Sequence, residues 1–163
     1  MITRRSLLLG GGGAVGILHG TSGSAAAFRD FGFARFLTTA VEQGAPPFVL
    51  AGTDDGPEGW VSDGTADPQT MVLDEMPGWL SERGFDADRR ALWGWSRGGL
   101  DALAALPLGL WCGAEDPFVD AVRELVAALP VEPEVLTFAE GGHTRLFWND
   151  HTLDAFSWLA GKL

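Results

Sequence analysis

The sequence predicts an α/β architecture, a mostly parallel, reduced sheet of about five strands between two layers of helix. Two observations predict it. Five short runs are almost wholly apolar, as strands are when helices cover both faces of a sheet. Helical stretches fall between these runs, and strand–helix alternation is the signature of parallel strands joined by right-handed crossovers. A chain of 163 residues, 46% apolar and 20% charged, has the size of one domain and enough apolar material for a core.

The predicted strands are residues 14–18, 48–51, 91–95, 108–112 and 134–138, each giving way to a turn rich in Gly, Asp or Ser. The first predicted helix, 31–43, ends at Gly44-Ala45-Pro46-Pro47, which cannot continue it. The second, 68–83, has Asp67 as cap, Pro68 in its first turn and Gly84 at its end, with Pro77 set to bend or break its last part. Helices follow at 97–106, 117–129 and 152–159, the last capped by Asn149 or Asp150.

The net charge of −11 repels phosphate backbones and argues against nucleic acid as a partner. One cysteine, Cys112, rules out an internal disulfide framework and an all-cysteine metal site. The N-terminus is more specific. Arg4-Arg5, the apolar stretch from Leu7 to Leu18 and the small residues Ala25-Ala26-Ala27 resemble a twin-arginine export signal over residues 1–27, ahead of a domain at 28–163. This predicts a secreted or cell-envelope protein. The apolar stretch is too short and glycine-rich to anchor the chain in a bilayer.

Gly94-Trp95-Ser96-Arg97-Gly98 fits Gly-x-Ser-x-Gly between a predicted strand and a predicted helix. In that setting a sharp turn lifts the serine hydroxyl above the sheet edge, and the helix amides point to where negative charge develops. A serine needs a base. His143 lies in the loop Ala139–His143 at the C-terminal end of a strand, whereas His151 reads as a capping or solvated residue at a helix start. The base needs an acid to hold its tautomer. Asp116, after strand 108–112, fits that role, with the neighbouring Glu115 as competitor and N-capping as its alternative use. The order Ser96, Asp116, His143 is that of α/β hydrolases.

Here the chain resembles the esterases of the α/β-hydrolase superfamily, relatives of esterase D and of the secreted mycolyltransferases. The resemblance rests on His19-Gly20, residues 47–51, 71–75, 94–99 and 112–118, Gly141-Gly142-His143 with Phe147-Trp148, and the final helix. It implies a three-layer α/β-hydrolase sandwich and cleavage of a small-molecule or lipid ester through an acyl-serine. The amide of Arg97 and one from Gly20 or Thr21 would form the oxyanion hole. It implies no metal and no organic cofactor, and it says nothing of oligomeric state. Acyl transfer to a sugar hydroxyl would use the same residues. A rival reading is a non-catalytic binding protein with Trp60, Trp79, Trp93, Trp95 and Trp148 along a groove, although core packing also accounts for such residues.

The chain departs from this pattern in two places. Only Pro107 separates helix 97–106 from strand 108–112, where such enzymes carry a further strand and helix. Either the acid strand pairs with the nucleophile strand, or a gap stays open. Both outcomes predict a loosened triad, weak activity and low stability. The first strand also overlaps the export signal, so cleavage after Ala27 would remove it together with His19-Gly20.

Overall fold

The computed structural model describes residues 12–56, 58–101 and 107–163. Arg4, Arg5 and the start of the apolar stretch lie outside them. Five strands appear among the described residues, each within a residue or two of its predicted place: β1 (Ala14–Leu18), β2 (Val49–Gly52), β3 (Arg90–Gly94), β4 (Gly109–Gly113) and β5 (Val135–Ala139). The helices are α1 (Ala27–Asp30), α2 (Phe33–Glu42), α3 (Pro68–Thr70), α4 (Met76–Glu82), α5 (Arg97–Asp101), α6 (Val119–Ala128) and α7 (Arg145–Ala160). No helix among the described residues is long and apolar enough to cross a membrane.

The sheet comes in two pieces. β1 pairs in parallel with β2 on one side and β3 on the other, so the order is β2-β1-β3. β4 and β5 form a separate parallel pair, Gly109 opposite Val135 through Gly113 opposite Ala139. Of the two outcomes foreseen for the missing strand, the open gap is the one observed: β3 and β4 do not pair.

Strand alternation sorts the core. Val15 and Ile17 of β1 face one side and join Phe48 ahead of β2 and Phe33, Phe156, Leu159 and Ala160 from the layer of α2 and α7. Ala14 and Leu18 face the other side, against Val72, Met76 and Leu80 in the layer of α4. All five residues of β1 are buried, as expected of a central strand covered on both faces.

Three helices differ from expectation for local reasons. Gly32, at φ 74°, holds back the start of the first to Phe33, where α2 begins, and the short α1 lies ahead of the predicted span. The second holds a π-helical turn at Met71–Glu75 directly before Pro77. Proline offers no N–H and crowds the carbonyl four residues back, and the widened turn accommodates both. The last helix starts at Arg145, seven residues earlier than predicted, with the Thr144 hydroxyl accepting from the Phe147 amide at 3.3 Å. Asn149-Asp150-His151 is therefore helix interior and caps nothing.

α7 ties the two pieces together. Phe156 packs edge-on against Phe33, Phe48 and Trp93, all from the three-stranded side. Two residues on, Trp158 meets Trp111 of β4 at 6.2 Å between ring centroids. Just beyond the helix, Lys162 pairs with Glu134 ahead of β5, while the carbonyl of Leu163 accepts from Arg89 ahead of β3. At the other end Arg145 donates to the Asp30 carbonyl and covers the Phe31 ring.

Candidate active site

The strand β3 ends at Gly94 and α5 begins at Arg97, leaving two residues for the turn. Ser96 takes φ 54°, the left-handed region that a side chain enters at a cost of about 1–3 kcal/mol. The surrounding backbone enforces it. A Cβ on Gly94 would stand 2.3 Å from the Gly98 carbonyl oxygen, and one on Gly98 would stand 2.2 Å from that of Leu18. Both glycines of the motif are thus steric requirements of a turn packed against β1.

The loops after β4 and β5 are laced together. The Ala114 amide donates to Ala139 at 2.7 Å and the Glu115 amide to Gly141 at 3.0 Å. The Glu115 carboxylate accepts in return from the Gly141 amide. Glu115, the competing acid, therefore supports the histidine loop, and its neighbour Asp116 is the carboxylate that meets His143. Asp116 is 8% exposed; its Oδ1 accepts from the Phe118 amide at 2.9 Å and its Oδ2 meets His143 Nδ1 at 2.8 Å. A carboxylate only accepts, so Nδ1 carries the proton and Nε2 is left with a lone pair. The Ser96 hydroxyl lies 2.8 Å from that Nε2. The rings of Phe118 and Trp148 meet the imidazole edge-on at 5.2 and 5.3 Å.

These contacts run from the three-stranded piece to the two-stranded piece, and both are of ordinary hydrogen-bond length. The loosening expected from an incomplete sheet is absent here. Asp116 and His143 ride on one laced unit, and α7 fixes that unit against the core of the other.

On the far side of Ser96 lies the loop after β1. A Cβ on Gly20 would stand 3.0 Å from the Ser96 Cβ, so the backbone at Gly20 closes directly over Ser96. Thr21 borders the same space, and Arg97, as first residue of α5, presents an amide that no carbonyl of its own helix can take. The Trp60 indole donates to the His19 carbonyl at 2.9 Å, and His19 Nδ1 donates to the Gly20 carbonyl at 2.8 Å. His19 Nε2 lies 3.7 Å from the Asp55 carboxylate. The Arg97 guanidinium donates to the carbonyl of Glu58 and fastens the neighbouring loop to α5.

The anchoring role of Trp60 has no sequence signal, since nothing in the spacing links residue 60 to residue 19. Sequence reasoning placed Trp60 with the groove tryptophans; that ring is 1% exposed and belongs to the core. Trp93, Trp95 and Trp148 do line a cavity beside Ser96, joined by Trp111 and Trp158, which the sequence reading had not singled out. The cavity has a volume of about 540 Å³. His151 also lines it, with its ring 4.4 Å from that of Phe147 and no place in the relay. Cys112 is buried; burial, and secondarily the Asp116 charge, push its thiol above the usual range.

No protein-family profile matches the sequence, and no curated protein matches it. Solved structures do match in fold. A ferulic acid esterase superposes with a TM-score of 0.73 at 15% identity, over 92% of this chain and 85% of its own. An S-formylglutathione hydrolase from Agrobacterium tumefaciens gives 0.74 at 13%, over 97% and 87%. The S-formylglutathione hydrolase of Staphylococcus aureus gives 0.66 at 12%, over 90% and 83%. The chain thus has the α/β-hydrolase fold of these proteins, with its sheet reduced to two small pieces.

Proposed function

We propose that the protein is a serine hydrolase that cleaves a carboxylic ester through an acyl-serine intermediate. One observation carries the reading: an unbroken hydrogen-bonded line from Ser96 through His143 to Asp116, with the serine held in a left-handed turn at the end of a strand. Chance packing has no reason to hold a strained serine against the free nitrogen of an oriented imidazole.

In this reading His143 Nε2 takes the hydroxyl proton as Ser96 Oγ attacks the ester carbonyl. Asp116 stabilises the imidazolium that forms. The amides of Arg97 and of Gly20 or Thr21 receive the oxyanion. His143 then protonates the leaving alcohol, the C–O bond breaks, and the acyl group stays on Ser96. Water, deprotonated by the same nitrogen, attacks the acyl-serine and returns the free acid. The matched structures include an esterase and hydrolases of a thioester, which agrees with acyl chemistry at this serine.

Export is part of the same proposal. Arg4-Arg5 direct the chain to the twin-arginine route, and because β1 occupies Ala14–Leu18 the folded enzyme keeps those residues. Replacing both arginines with lysine would trap the protein in the cytoplasm of a competent host; unchanged secretion would refute the signal. For the chemistry, a fluorophosphonate probe would label the purified protein at Ser96, and Ser96→Ala would not label. An unlabelled but well-folded wild type would mean a binding protein on a hydrolase scaffold.

A further inference from the structure

We infer that the gap between β3 and β4 is an acyl channel, which takes the linear hydrocarbon chain of the substrate through the plane of the sheet; this rests on the serine-hydrolase reading above. The cavity of about 540 Å³ is far larger than the voids that close packing leaves in a core, and falls within the range of small-molecule sites.

Its position follows from how it is lined. A pocket on one face of a sheet touches alternate residues of a strand. This cavity touches consecutive ones, residues 90–96 along β3 and 107–112 along β4. It therefore lies between two facing strand edges, in the place of an absent strand. Helix α6 and its approach close it with Phe118, Val122 and Leu125, and α7 closes it with Phe147, His151, Ala155 and Trp158. Both sets recur at the three-to-four-residue spacing of one helix face.

The two ends differ chemically. Ser96 and His143 stand at the C-terminal end of the strands, and Arg90 and Lys162 stand at the other. Between them the walls are chiefly apolar side chains. An ester carbonyl at Ser96 can send its acyl chain inward along the slot. The opening replaces a single strand, so its width is roughly one strand spacing on either side, ~4.8 Å, which favours an unbranched chain over a branched or fused-ring one. From Arg90 to Gly94 the slot runs four residues, about 13 Å at ~3.3 Å per residue. Carbon–carbon bonds of ~1.5 Å advance an extended chain by about 1.3 Å each, so about ten carbons fill it.

The test is kcat/KM on p-nitrophenyl esters of acetate, hexanoate, octanoate, decanoate and tetradecanoate, with decanoate binding followed by tryptophan fluorescence. We expect kcat/KM to rise with chain length, by up to about fourfold per buried methylene, and to stop rising near ten carbons. Val122→Phe and, as a second blocking variant, Leu125→Trp would lower the decanoate-to-acetate ratio at least tenfold. Leu136→Ser, exposed on β5 and outside the cavity, would keep the wild-type profile. Acetate turnover and probe labelling with a flat chain-length profile, unmoved by both blocking variants, would overturn the channel and leave the hydrolase standing. Decanoate quenching that both blocking variants abolish, with no turnover and no labelling, would overturn the hydrolase and leave the channel as a binding site. Absence of both would overturn both.

Discussion

The two pieces of the sheet are built differently. The β2-β1-β3 piece has a wholly buried central strand and a buried cluster on each face. The β4-β5 piece has two strands and α6, a helix with no fully buried residue; Leu136 of β5 is 43% exposed. A two-stranded unit of this kind is marginal by itself. Yet this thinner piece supplies two of the three residues of the hydrogen-bonded line, Asp116 and His143. The geometry across the gap therefore depends on what couples the pieces, chiefly α7, and less on strand pairing.

Measurements can break that picture or sharpen it. The largest expected effect is on turnover. Ser96→Ala and His143→Ala remove residues from opposite pieces, and each should lower kcat on p-nitrophenyl acetate by about 10⁴–10⁶-fold, the double variant by little more. Losses that multiply in the double variant would show that the pieces do not act as one unit. Next comes stability. Phe156→Ala, at the junction where α7 meets the three-stranded core, should cost about 3–5 kcal/mol in urea unfolding and lower activity at a distance from Ser96. Leu125→Ala in α6, only partly buried, should cost about 1–2 kcal/mol. Equal costs would mean that the thin piece is as well consolidated as the thick one.

A smaller effect tests the start of α7. Thr144→Ala removes its N-cap and should cost about 1 kcal/mol, with a fall in kcat because His143 immediately precedes it. The smallest is a rate of chemical modification. Because burial raises the Cys112 thiol, less thiolate is present at pH 8 and iodoacetamide should react more slowly than with an ordinary cysteine. Asp116→Asn removes the secondary, electrostatic cause and should speed the reaction. A fast wild-type reaction would show that the two-stranded piece opens readily.

Much of this was legible in the residues. Apolar runs of four or five residues closed by turn residues located all five strands, because a strand covered on both faces has no polar side to show. Gly94, Ser96 and Gly98 declared the tight strand-to-helix turn, because backbone crowding leaves glycine as the residue that fits. Asp116 and His143 were found by their places after successive strands. The start of α7 was misread, because Asn149-Asp150-His151 looks like a cap locally while Thr144 is the residue whose hydroxyl reaches an orphan amide. The hold of Trp60 on the His19 carbonyl had no local signal at all.

The sequence by itself determined the class of fold, the places of its strands along the chain, Ser96, Asp116 and His143 as the candidate residues, and the absence of room for a strand around Pro107. These follow from local sterics, periodicity and chain length, which need no knowledge of distant neighbours. Only the tertiary structure decided that the gap stays open, that α7 bridges it through Phe156 and Trp158, and that the relay closes at 2.8 Å on each side of the imidazole. Those outcomes depend on how side chains far apart in the chain share one space, and packing of that kind is a property of the assembled core.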